Sequence, residues 1–167
     1  IHDSTTTALI DDSRYVRETI NRHLRGFDGK KGRTTGGTSA WASVWNHGGD
    51  HAGDGNTASL NANGSGLLIG ADLAVGSDAR LGAVIGHGQN SLQSRHVGSS
   101  AHWRSEQAGL YANVRVGAFV LRGGAAYAWQ NVTTHRTVAF GAFGERLHGE
   151  HDAQTTQAYV EGGYQIV

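Results

Sequence analysis

The chain has 167 residues, 26 of them glycine, and no cysteine, methionine or proline. Its 14 basic and 14 acidic side chains give a formal charge of +0 at pH 7, which argues against a nucleic-acid binder held mainly by electrostatics. Lack of cysteine excludes disulfide scaffolds, thiolate metal sites and thiol nucleophiles. No apolar run approaches the ~20 residues of a membrane helix, whereas the alternating strands of a transmembrane barrel leave no hydropathy peak and remain open. Ile1 begins the chain without a charged-then-apolar leader, the pattern of a processed or excised segment.

Residues 8–25, ALIDDSRYVRETINRHLR, predict a helix. Leu9, Val16, Ile20 and Leu24 form one narrow stripe, Asp11 and Asp12 lie early where the helix dipole favours them, and Gly26 suits the end. Arg14, Arg17, Glu18, Arg22 and Arg25 cover the rest, so the helix suits a polar, confined space better than an ordinary core. The Gly-rich stretch 26–39 reads as a linker.

From Trp41 the period becomes two. A first strand at 40–47 carries Trp41 and Trp45. In GLLIGADLAV, Leu67, Ile69, Ala71, Leu73 and Val75 oppose Gly70 and Asp72. Residues 80–93 alternate more weakly, with Leu81, Ala83 and Ile85 against Gly82, Val84 and Gly86. In QAGLYANVRV, Ala108, Leu110, Ala112, Val114 and Val116 oppose Gln107, Gly109, Tyr111, Asn113 and Arg115. Phe119, Leu121, Ala125, Tyr127 and Trp129 oppose Arg122, Gly124 and Gln130. Ala158, Val160, Tyr164 and Ile166 oppose Gln157, Tyr159, Glu161 and Gln165. This makes about six strands, several reaching the about 9–11 residues that a tilted strand needs to cross a bilayer. Connections alternate too: 46–62, 94–102 and 134–153 read as long polar segments, 76–79 and 117–118 as tight turns, which is the pattern of outer-membrane barrels. Trp45, Trp103 and Trp129 lie near the strand ends leading to the long connections, where an aromatic girdle would stand.

Alternation is symmetric and does not say which face points out. Strand length, loop asymmetry and the lack of bulky residues for a dry core favour a polar interior. A soluble barrel could not place Asp72, Arg115, Arg122 and Glu161 inside.

The order helix, Gly-rich linker, Trp-bearing strand and then GLLIGADLAVGSDARLGAVIGHG resembles the translocator domain of classical autotransporters. The hairpins SDARLGAVIGHGQ and QAGLYANVRVGAFVLRGGAAYAWQ and the helix ALIDDSRYVRETINRHLRG carry the likeness over nearly the whole chain. The resemblance implies an all-β fold: an antiparallel transmembrane β-barrel, twelve-stranded when complete, with an N-terminal helix in its lumen. It divides the chain into a passenger-junction helix (1–25), a linker (26–39) and the first half of the barrel (40–167). It further implies export of an N-terminal passenger, the lipid of the Gram-negative outer membrane and the barrel-assembly machinery as partners, and one chain per barrel. Fewer strands than the eight of the smallest bacterial barrels, and an end at GGYQIV without a terminal aromatic, fit a half of a longer protein.

Candidate site residues follow. On the helix they are Arg14, Arg17, Glu18, Asn21 and Arg22; on the inner wall, Asp72, Glu106, Tyr111, Arg115, Arg122 and Glu161. Arg14, Arg17 and Arg22 are expected to pair with Asp72, Glu161 or Glu106, because unpaired charge in a narrow passage is costly. Some autotransporters cut their own helix at Asn-Asn; Asn21-Arg22 departs from that and reads as ordinary helix surface. His47-x3-His51 with Asp50 and Asp54, and His148-x2-His151 with Asp152, have metal-ligand spacings but lie in expected loops without fixed geometry, so no metal or other cofactor is expected. No G-x-S-x-G is present, and an enzyme is not expected. The alternatives are a soluble lipocalin-like barrel binding a small ligand and a passive porin.

Overall fold

The computed structural model describes residues 2–27, 37–51, 60–94, 98–140 and 143–164. Helix α1 (His2–Arg25) is followed by strands β1 (Thr38–His51), β2 (Leu60–Val75), β3 (Ala79–Ser94), β4 (Ser99–Val116), β5 (Phe119–Phe140) and β6 (Phe143–Tyr164). All six strands form one antiparallel sheet in sequence order, each hairpin-paired to the next. None of the described helices is long and apolar enough to cross a membrane.

Helix α1 begins six residues before the expected start; its apolar stripe lies downstream, and once that part is nucleated each added residue gains a backbone hydrogen bond without a new nucleation cost. Most of the expected linker, 28–36, lies outside the described residues. Gly37 already joins the sheet, its carbonyl accepting from Ala74 N at 3.1 Å.

The two tight turns fall where expected. Gly76 and Gly117 open them with φ of 66° and 62°, a left-handed conformation that other residues adopt only with strain. The long connections are different. β1 and β2 stay paired to His51↔Leu60, β3 and β4 to Ser94↔Ser99, and β5 and β6 to Phe140↔Phe143. Much of 46–62, 94–102 and 134–153 is therefore ladder, not loop. A hairpin zips on through backbone hydrogen bonds whether or not its side chains alternate in hydropathy.

Helix α1 lies against one face of the sheet, its Val16, Ile20 and Leu24 buried with Trp45, Leu68, Val84, Tyr111 and Ala126. The opposite face holds the apolar set, with Leu73, Val114 and Leu121 exposed by 50%, 41% and 56%. This is polar-in and apolar-out, and it removes the dry centre that a soluble barrel requires. Outward apolar runs extend from Leu67 to Val75 on β2, Ala108 to Val116 on β4 and Phe119 to Trp129 on β5. At ~3.4 Å per residue and ~40° tilt, such runs make a band about 25 Å tall, the height of a barrel's lipid-facing belt. Phe119 and Tyr164 pair edge to face on one rim of this band, and Tyr127 and Trp129 on the other. Of the three tryptophans expected in a girdle only Trp129 faces out. Trp45 and Trp103 share strand parity with the helix-facing side and are buried there.

Candidate functional site

The helix-facing wall gathers charge at two places. The first centres on Asp72 of β2, whose side chain is fully buried. Arg80 of β3 reaches its Oδ1 through Nε and Nη2, each at 2.6 Å. Tyr111 of β4 donates its hydroxyl to Oδ2 at 3.0 Å, and His23 of α1 places Nε2 at 2.6 Å from the same oxygen. Trp41 of β1 donates to the Tyr111 oxygen at 2.7 Å. Phe27, just past the helix, lies under the Arg80 guanidinium at 4.1 Å. A carboxylate accepts several donors at once, and here β3, β4 and the helix supply them while β1 holds the Tyr111 hydroxyl.

Glycines make this geometry possible. Trp41 stands across from Gly70 and Tyr111 across from Gly82. A Cβ on either glycine would overlap the facing ring. The missing side chains let both rings lie flat over the wall and turn their polar ends toward Asp72.

The second place centres on Glu161 of β6. Arg25 approaches its two oxygens at 2.9 and 2.8 Å through Nη2, Arg122 of β5 donates to Oε1 at 2.8 Å, and Asn21 donates to Oε2 at 3.1 Å. Asn21 and Arg25 are one helical turn apart and so meet one carboxylate. Higher up, Gln157 donates to the Ser13 carbonyl at 3.0 Å, and Tyr15 stacks on Trp45 and His47 with both centroids at 5.1 Å.

Of the expected site residues, Asn21, Asp72, Tyr111, Arg122 and Glu161 are thus brought together. Arg115 lies on the same face, half-buried, near Phe27 and Arg80. Arg14 is exposed and pairs within the helix with Glu18 at 3.0 Å. Arg17 and Arg22 are exposed along the cleft between α1 and β6. Glu106 is a correction. It shares parity with Ala108 and Leu110, stands on the outward face just beyond the apolar band, and meets His87 at 2.6 Å. The helix side chains that reach the wall carboxylates besides Asn21 are His23 and Arg25, neither of them in the expected set. Their signal is position: they flank Leu24, about 100° to either side of the residue that seats the helix.

The histidine spacings do not become chelates. His148 and His151 lie on opposite faces of β6, as residues three apart on a strand must. His47 stacks on Tyr15, Asp50 accepts from Asn61 on the outward side, and Asp54 lies outside the described residues. Among the described residues, no group of three or more His, Asp or Glu side chains is arranged so that all could ligate one metal ion.

Residues 40–167 match the family described as the autotransporter beta-domain. The chain belongs to the autotransporter β-domain family. This makes it part of an outer-membrane β-barrel of a Gram-negative bacterium, the translocator of a passenger-bearing protein. The autotransporter β-domain is similar to two proteins of Serratia marcescens named extracellular serine protease, at 34% and 32% identity over 98% of this chain. It spans 16% of the length of either. The translocator domain of the autotransporter NalP from Neisseria meningitidis has the same fold, with a TM-score of 0.68 at 18% identity over 93% of this chain and 54% of that one. The β-domain itself is a translocator and not the catalytic part of such proteins.

Proposed function

We propose that this segment forms one side of the export passage and retains α1 within it by two carboxylate anchors. The observation that carries the reading is that Asp72 and Glu161, on different strands of one inner wall, each engage a helix residue as well as a wall arginine. The wall arginines hold each carboxylate in place, so a strand of passing polypeptide meets a fixed acceptor. The helix that comes to rest supplies His23 and Arg25. In this reading the remaining wall comes from further strands of a longer protein pairing with β1 and β6, since lipid tolerates no open sheet edge. The NalP structure, of which this chain covers 54%, supports that. The same reading takes lipid as the partner of the outward band, the barrel-assembly machinery as the folding partner, a single chain per barrel, and a passenger N-terminal to α1.

Single-channel recording of the full-length protein tests the anchors. With Asp72→Asn and Glu161→Gln combined, openings to the full conductance become more frequent than in the parent. Traces indistinguishable from the parent refute the anchoring role.

A further inference from the structure

Beyond the bilayer band, on the outward face, the ladder places His135 of β5 directly across from His148 of β6. Their ring centroids are 4.7 Å apart, and the two Nδ1 atoms face each other at 3.4 Å. The second ring nitrogen of His148, Nε2, lies 3.2 Å from Glu150 Oε1. A carboxylate there fixes the proton on Nε2 and leaves Nδ1 with its lone pair aimed at His135. Two nitrogens bound to one zinc at about 2.0–2.1 Å in a tetrahedral arrangement are about 3.4 Å apart. A carboxylate on the outer nitrogen of a ligating histidine is the usual support of such a ligand. At 3.4 Å the pair is long for a direct hydrogen bond between rings.

The geometry points to a borderline transition-metal site, for zinc or copper(II), bridging β5 and β6 through His135 Nδ1 and His148 Nδ1. Glu150 acts as the orienting carboxylate, and water fills the remaining positions. Imidazole nitrogens select this class over magnesium and calcium, which require oxygen donors. His148 and Glu150 are 53% and 74% exposed, so the ion enters from solvent and the first coordination sphere stays open. The ion ties the two longest strands together outside the membrane, where no lipid supports them. The site is independent of the helix-facing wall, because it lies on the other side of the sheet. Sequence spacing conceals it: the histidines are 13 residues apart, and only the register makes them neighbours.

The test uses full-length protein in detergent, purified without a polyhistidine tag and stripped with chelator. Zinc is titrated calorimetrically, and copper(II) is followed by electron paramagnetic resonance. The parent binds one equivalent whose affinity falls at least tenfold in both His135→Ala and His148→Ala, falls less in Glu150→Gln, and is unchanged in His151→Ala. Heat-modifiable migration in gels establishes that each variant barrel is folded. The copper spectrum of the parent, which depends on no variant, shows two equatorial imidazole nitrogens. Absence of that equivalent, retention in either histidine variant, loss in His151→Ala, or a spectrum with fewer than two imidazoles overturns the site. Calcium or magnesium binding with equal affinity does so as well.

Discussion

Asp72 sits under four donors with no solvent contact, and Arg80 beside it is 5% exposed. Removing one member of a buried pair strands the other, at a cost of about 3–5 kcal/mol. Asp72→Ala is therefore expected to lower the temperature at which the folded barrel loses its compact migration in gels, and Tyr111→Phe to lower it much less. At the second anchor, Arg25→Ala is expected to increase proteolytic access to the helix, because Asn21 then holds Glu161 alone from that side. Arg14→Ala should leave access unchanged, since an exposed pair within a helix is worth about 0.3–0.5 kcal/mol. The wall carboxylates were legible in the sequence as charged residues on an otherwise small, polar strand face. Their helix partners were not. Four arginines and His23 lie on α1, and which of them meets the wall depends on the rotation of the helix about Leu24, a property of packing rather than composition.

Strands reveal themselves where the two faces differ. From Leu67 to Val75 or Ala108 to Val116 the alternation is strong, because one face meets an apolar phase and the other a polar passage. Beyond Asn131 on β5 the even positions mix Val132 and Val138 with Thr134 and Arg136 while the odd ones are mostly polar, so the contrast between faces fades and strand reads as loop although the ladder runs to Phe140. Parity, by contrast, was available throughout. It assigns Glu106 to the face of Leu110, and Trp103 to that of Tyr111. The aromatic–glycine pairs give an element-scale prediction. Gly82→Ala inserts a Cβ into the Tyr111 ring, so the ring must leave Asp72 or the two strands must separate. Folding, followed as the appearance of heat-modifiable protein, is expected to slow, and Gly82→Ala combined with Tyr111→Ala to recover most of the rate. Equal rates for parent and Gly82→Ala contradict the close approach.

For the molecule as a whole, the arrangement makes the outward band a lipid surface and the helix an occupant of the enclosed side. Leu110, outward and 64% exposed, lies well inside the band. Leu110→Arg is expected to destabilise the folded barrel by about 2–4 kcal/mol in lipid, measured by denaturant unfolding, whereas Leu110→Val changes little. Deleting residues 8–25 from the full-length protein should raise single-channel conductance severalfold, and an unchanged conductance contradicts a helix in the passage. The most direct test addresses the two faces of one strand. The 167 residues contain no cysteine, so single cysteines from residue 107 to residue 116 can be spin-labelled one at a time, in full-length protein freed of other cysteines and reconstituted in lipid. Collisions with oxygen are predicted to peak at 108, 110, 112 and 114, and collisions with a water-soluble nickel complex at the odd positions between them. The reverse phase, or no period of two, contradicts the account.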